Sequence, residues 1–295
     1  MAVAVRTPTA PRSARWRAAV EEGPPGRMAG MSSSALPLTE MPSPQYVMSA
    51  EGHRIATYAW GDDSADTVLC VHGFASSTRD NWVNTGWVRD LTRAGYRVLA
   101  VDQRGHGASD KPHDPRDYTM PALVGDLVAV LDTYLLDEVM YAGYSLGGRV
   151  GWQLLVDVPH RVTRAVLGGI PDGRPLARVD IEQARAYVER GVPVQDKVTH
   201  NYVTLAERVP GNDLGVLVAL AEGMRLGDAD PDPARPPQQP VLFATGSEDA
   251  ILERSRMLSD ATPNGRFVEI PERHHFNAPG SRVLRQEAIA FFDGR

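Results

Sequence analysis

Cysteine is nearly absent: the 295 residues include one, Cys70. A single thiol cannot close an intramolecular disulfide, so nothing here implies an oxidising compartment. Cys70 lies inside the run Thr67-Val68-Leu69-Cys70-Val71, where a cysteine reads as a small buried hydrophobe rather than a catalytic thiol. Long apolar runs are missing as well. No stretch approaches the ~18 consecutive apolar residues that a membrane-spanning helix needs. Positive charge is not in excess either. The formal net charge is −6, and no basic face of the kind that nucleic-acid binders carry is evident. Hydrophobic residues make up 42% and charged residues 23%, which are ordinary values for a globular protein and leave room for one large α/β domain or two smaller ones.

The first 44 residues stand apart. They hold seven prolines and five arginines against three glutamates, a net +2 that leaves −8 for the rest. No apolar segment of ~7–15 residues follows the arginines, so a secretory signal does not fit. The expectation is a disordered leader or a start placed too far upstream, with Met28, Met31 and Met41 as alternative starts.

From Tyr46 onward the pattern is regular. Tyr46–Ser49 and Arg54–Trp60 flank Glu51-Gly52 and predict a β-hairpin. Short, continuously apolar runs follow at Val68–Val71, Val98–Val101, Val139–Ala142, Ala165–Leu167, Val241–Ala244 and Phe267–Ile270. Continuous apolarity means burial on both faces, as in a parallel sheet covered by helices. Between the runs, Met120, Leu123, Val124, Leu127, Leu131 and Leu135 recur at steps of three and four, giving one helical stripe. Strands alternating with helices predict right-handed βαβ units in an open, doubly wound sheet. In such sheets ligands bind beyond the carboxyl ends of the strands.

The alternation breaks once, between Ile170 and Val241. That stretch shows helical patterns near Ala177–Arg190, Val198–Arg208 and Leu214–Arg225. It closes on Asp228–Pro240, whose five prolines and three aspartates no core helix could contain. The expected organisation is a leader over 1–44, a core over 45–170 and 241–295, and a helical cap with a stiff linker over 171–240.

The strongest motif is Gly143-Tyr144-Ser145-Leu146-Gly147-Gly148. It directly follows an apolar run and opens a helical stretch through Val150, Leu154 and Leu155, the strand–turn–helix context of a G-x-S-x-G nucleophile elbow. The turn strains its serine, and glycines at 143 and 147 relieve crowding where a Cβ would collide. A serine hydroxyl needs a base, and the base needs an orienting group. Of the eight histidines, His274 and His275 follow the last predicted strand. Glu248 and Asp249 follow the strand before it, so the chain order is serine, acid, histidine.

With these residues the chain resembles the α/β-hydrolase superfamily, over nearly all of 45–295. Val71-His72-Gly73-Phe74 is similar to the family's HG loop after its third strand. Asp102-Gln103-Arg104-Gly105-His106-Gly107-Ala108-Ser109 is similar to its D-x-R-G-x-G-x-S stretch, and Thr245-Gly246-Ser247-Glu248-Asp249 to the turn that carries its acid. The resemblance implies an α/β-hydrolase fold, with a mostly parallel, eight-stranded, doubly wound sheet and an inserted helical cap. It implies Ser145 as nucleophile, His275 as base and Asp249 as orienting acid, with the N–H groups of Phe74 and Leu146 as the oxyanion hole. Aligning His275-Phe276 with the family's histidine and bulky apolar residue favours His275 over His274. Spacing from Gly246 favours Asp249 over its rival Glu248. His72 and His106 are expected to brace loops and Arg104 to be a structural hub. Trp82 and Trp87 are either core or acyl-pocket lining, with burial the commoner reason.

Haloalkane dehalogenases and epoxide hydrolases of this superfamily place aspartate where this chain has Ser145. The G-G-S-W-G elbow of proline iminopeptidases is absent. Lys197, the cap's single lysine, is thin support for hydroxynitrile cleavage. The expectation is hydrolysis of a small or medium carboxylic ester without metal or cofactor. The alternatives are thioester or C–C hydrolysis, cofactor-free perhydrolysis, and a weakly catalytic ligand receptor. The expected partner is a small-molecule ester, with no nucleic acid and no membrane span; a homodimer is compatible with the sequence, and a cytoplasmic location is expected.

Overall fold

A computed structural model of the chain describes residues 39–170, 175–226 and 230–294. The expected leader up to residue 38, the first residues of the expected cap, residue 227 and residues 228–229 of its linker lie outside the described residues. At its end the expected leader touches the core: the Glu40 carbonyl accepts from Trp60 Nε1 at 2.9 Å, and Met41 packs on an apolar cluster.

The hairpin comprises β1 (Gln45–Met48) and β2 (Arg54–Trp60). Then come β3 (Thr67–Val71), α1 (Trp87–Arg93), β4 (Arg97–Val101), α2 (Met120–Thr133) and β5 (Val139–Tyr144). These are followed by α3 (Leu146–Asp157) and β6 (Val162–Gly168). Three helices sit between β6 and the next strand: α4 (Ile181–Arg190), α5 (Lys197–Glu207) and α6 (Leu214–Gly223). β7 (Val241–Gly246), α7 (Leu252–Ala261), β8 (Gly265–Ile270) and α8 (Arg282–Phe292) complete the order. Among the described residues the sheet has eight strands in the order β1-β2-β4-β3-β5-β6-β7-β8. Only the β1–β2 and β2–β4 pairs are antiparallel.

Each central strand is apolar throughout because it feeds two cores. Leu69 and Val71 of β3 join Leu99, Tyr141, Leu167 and Phe243 beneath α2 and α3. Their alternates, Val68 and Cys70, join Val98, Ala142, Val166 and Leu242 beneath α1 and α8. The period of two in the side chains thus becomes two apolar layers. Each fully buried aliphatic side chain stabilises by about 1.5–3 kcal/mol. β8 departs from the expected burial on both faces: Phe267 and Val268 are only half-buried, because β8 is the outermost strand and lacks a neighbour on one side.

Three aspartates start the helices between β6 and β7. Asp180, Asp196 and Asp213 accept from the N–H groups of Gln183, Thr199 and Val216, satisfying donors that a helix start leaves open. Expectation and structure differ at the first of these helices. Pro175–Arg178 form a separate 3₁₀ turn, and α4 begins only after its cap at Asp180.

Candidate active site

Ser145 stands alone between β5 and α3, with φ 52° and ψ −113°. A non-glycine residue in this region carries strain of about 1–3 kcal/mol and needs its surroundings to hold it. Its N–H donates to the Gly168 carbonyl at 2.8 Å, and its carbonyl accepts from Arg149 N–H at 2.9 Å. The flanking glycines leave no room for side chains. A Cβ on Gly147 would stand 2.0 Å from the Val71 carbonyl oxygen, and one on Gly143 2.4 Å from that of Gly147.

The two turns beyond β7 and β8 converge on this serine. Asp249 is buried, and its Oδ1 accepts from Ile251 N–H at 3.1 Å. Its Oδ2 lies 2.8 Å from His275 Nδ1, while His275 Nε2 lies 2.9 Å from Ser145 Oγ. A ring that donates from Nδ1 to the carboxylate presents Nε2 as an acceptor for the serine proton. Their neighbours in sequence go elsewhere. Glu248 is exposed. His274 is exposed too, and its Nδ1 accepts from Phe276 N–H within its own turn. The acid turn and the histidine loop are stitched together by Glu248 N–H donating to the Arg273 carbonyl at 2.9 Å.

The HG loop closes the site from β3. A Cβ on Gly73 would stand 3.3 Å from Ser145 Cβ, so backbone lies directly against the serine. Among the described residues neither Phe74 N–H nor Leu146 N–H has an acceptor. Two buried histidines fix the loop. His72 Nε2 accepts from Gln103 N–H at 3.0 Å, and its Nδ1 lies 2.8 Å from the Gly73 carbonyl. His106 Nε2 accepts from Ala75 N–H at 3.0 Å, and its Nδ1 lies 3.1 Å from the Arg104 carbonyl. Burial holds both rings neutral, lowering His72 and taking His106 down to about 3, the latter with help from His72 beside it. Burial raises Asp102, but the N–H groups of Thr78 and Ala108 that its carboxylate accepts help to outweigh that, and it is held below its usual range.

Several contacts had no signal in the sequence. Ala75 adopts φ 56°, and its carbonyl accepts from Asn212 Nδ2 at 3.1 Å. Asn212 comes from the turn before α6. The Tyr202 ring of α5 stands 5.7 Å from that of Phe74. Tyr144, inside the motif, reaches the His275 carbonyl. Other expectations turn out to concern the frame. Trp82 and Trp87 are 1% and 2% exposed and pack edge to face in the core beneath α1. Lys197 is exposed at the first turn of α5. Among the described residues no group of three or more His, Cys, Asp or Glu is placed to hold a metal. Nor is any helix long and apolar enough to cross a membrane.

Residues 66–200 match the family described as alpha/beta hydrolase fold. The fold is that of the α/β hydrolases, and the sequence is similar to that family over slightly less than half of the chain. Epoxide hydrolase B of Mycobacterium tuberculosis (strain H37Rv) is 34% identical over 127 residues, covering 42% of this chain and 35% of that enzyme. The AB hydrolase superfamily protein YfhM of Bacillus subtilis (strain 168) is 28% identical over 266 residues, 78% of this chain and 90% of that protein. Among solved α/β-hydrolase structures, the enol-lactonase from Burkholderia xenovorans LB400 has a TM-score of 0.66 and 20% identity, covering 84% of this chain and 100% of that one. At that identity the likeness speaks for the fold. Local matches such as that to the epoxide hydrolase span less than half of the relative's length.

Proposed function

We propose that the chain is a serine hydrolase that cleaves a carboxylic ester of small or medium size through an acyl-enzyme. One observation carries the reading: a single imidazole lies within hydrogen-bond distance of both a strained serine and a buried carboxylate. In this reading Ser145 Oγ attacks the ester carbon while His275 Nε2 takes its proton. Asp249 keeps the ring in its Nδ1–H tautomer and stabilises the imidazolium. The carbonyl oxygen, now an anion, accepts from the N–H groups of Phe74 and Leu146, a contribution worth about 10²–10³ in rate per donor. The imidazolium returns its proton to the alcohol as it leaves. Water, deprotonated by the same ring, then releases the acid and restores Ser145.

Epoxide hydrolases, several of which are among the relatives, use an aspartate nucleophile by the superfamily's pattern. A serine supports acyl transfer instead. The exposed Lys197 gives no support to a cyanide-releasing lyase.

The test is hydrolysis of p-nitrophenyl acetate, butyrate and octanoate by wild type and Ser145→Ala side by side. Wild type should turn over, and the variant should lose at least ~10³-fold in kcat. Equal rates for the two folded proteins on all three esters would remove the esterase reading and redirect work to C–C substrates, perhydrolysis or ligand binding.

A further inference from the structure

The residue before the serine is chemically silent in the scheme above, yet it is tied to the base. Tyr144 ends β5 and is 5% exposed. Its hydroxyl donates to the main-chain carbonyl of His275 at 2.5 Å, and its ring stands 5.5 Å from the imidazole at 45°. Burial, with the Asp249 charge nearby, pushes the phenol well above its ordinary range, so the group is a neutral donor at any pH at which the protein works. Among the described residues no other donor reaches that carbonyl; the neighbouring N–H groups of Asn277 and Ala278 both go to His274.

The end of β6 is shaped around the same side chain. A Cβ on Gly168 would stand 2.8 Å from the Tyr144 ring, and one on Gly169 2.9 Å from its hydroxyl. The Gly168 carbonyl holds the Ser145 N–H at 2.8 Å. A short closed circuit results. It runs from Ser145 through one peptide bond to Tyr144, across the hydroxyl to the His275 backbone, and back through Nε2 to Ser145 Oγ.

We propose that Tyr144 is the positioning residue that sets His275 on Ser145, holding the histidine loop to the strand that carries the nucleophile. It touches no substrate and moves no proton. The proposal rests on the reading of Ser145 and His275 as nucleophile and base. A base displaced by a fraction of an ångström acts on kcat rather than on binding, and a displacement of ~1 Å can cost about 10²-fold.

The test is Tyr144→Phe, which keeps every carbon of the side chain, assayed with wild type below each protein's melting midpoint. The expected result is a fall in kcat of about 10–100-fold at unchanged KM. The downfield proton signal of His275 Nδ1–H should shift or broaden without any substrate present. In a His275→Ala background the same substitution should have no further effect, because Tyr144 acts through that residue. Gly169→Ala, whose methyl crowds the hydroxyl, should lower kcat in the same direction. A Tyr144→Phe protein with wild-type kcat and an unmoved signal overturns the proposal. So does a loss that persists undiminished without His275. An inactive wild type removes the esterase reading instead, and the proton signal still decides whether Tyr144 positions the ring.

Discussion

His106 accepts the Ala75 N–H on one ring nitrogen and faces the Arg104 carbonyl with the other, an arrangement open only to a neutral imidazole. Its folded pKa lies near 3 against an ordinary 6.5. Below pH 6.5 the unfolded chain therefore takes up a proton that the native ring refuses. Stability from this group is complete above about pH 6.5 and drains away as the pH falls toward 3; His72 moves in the same direction. Urea unfolding at pH 7 and pH 5 should differ by about 1–2 kcal/mol on this account. His106→Gln should flatten that difference, and an unchanged slope would mean that other groups set it. At this scale resemblance and spacing favoured Asp249 over Glu248 and His275 over His274, but they gave no physical reason for either choice. Glu248 and Asp249 are adjacent in one turn, as are His274 and His275, and backbone direction decides which side chain points inward. That direction is set by contacts such as Glu248 N–H to the Arg273 carbonyl, between separate turns. Tyr144 was visible as a letter of the motif, but its partner lies 131 residues away.

The strands were legible because burial on both faces leaves a plain mark, a continuous apolar run. The helices between β6 and β7 were legible less sharply. Their starts depend on single capping aspartates, and Asp180 rather than the apolar pattern sets where α4 begins. How this insertion grips the core left no trace in sequence. Asn212 donates from one amide both to the Ala75 carbonyl at 3.1 Å and to the Ala206 carbonyl at 3.0 Å. It thereby links α5 to the residue after Phe74. Under the proposed chemistry Asn212→Ala should lower kcat about 3–10-fold and weaken inhibition by a boronic acid, which mimics the tetrahedral state, by a similar factor. Because the side chain is half-buried, the melting temperature should move little. If neither kinetic measure changes, this contact serves the insertion alone.

Arg104 joins parts of the whole molecule that no local pattern connects. Its fully buried guanidinium pairs with Asp126 of α2 at 3.0 and 2.6 Å, donates to the Asp117 carbonyl at 2.9 Å, and reaches Glu51 in the hairpin turn at 2.9 Å. The Glu51 contact is about half exposed and so worth little; the Asp126 pair matters. Arg104→Met would leave the Asp126 carboxyl buried without its partner, at a cost of about 3–5 kcal/mol. That corresponds to a drop of roughly 10 °C in the melting temperature. Adding Asp126→Leu should recover most of it, and a double variant no better than the single one would mean that the pair is not what Arg104 contributes. A structural hub was the expectation for Arg104, but its partners come from three separate segments and only the assembled fold defines them.

The serine and the imidazole beside it are separated by 130 positions along the chain. A ribosome adding roughly 5–20 residues per second completes the elbow several seconds or more before it reaches His275. Throughout that interval the emerging polypeptide holds a serine without its partner ring. β7 and β8 must also dock at the sheet's edge before the pair can form. Under the proposed chemistry, newly made chains are inert toward esters until the last turns are in place, and recovery of Ser145 reactivity during refolding would time the arrival of the C-terminal strands.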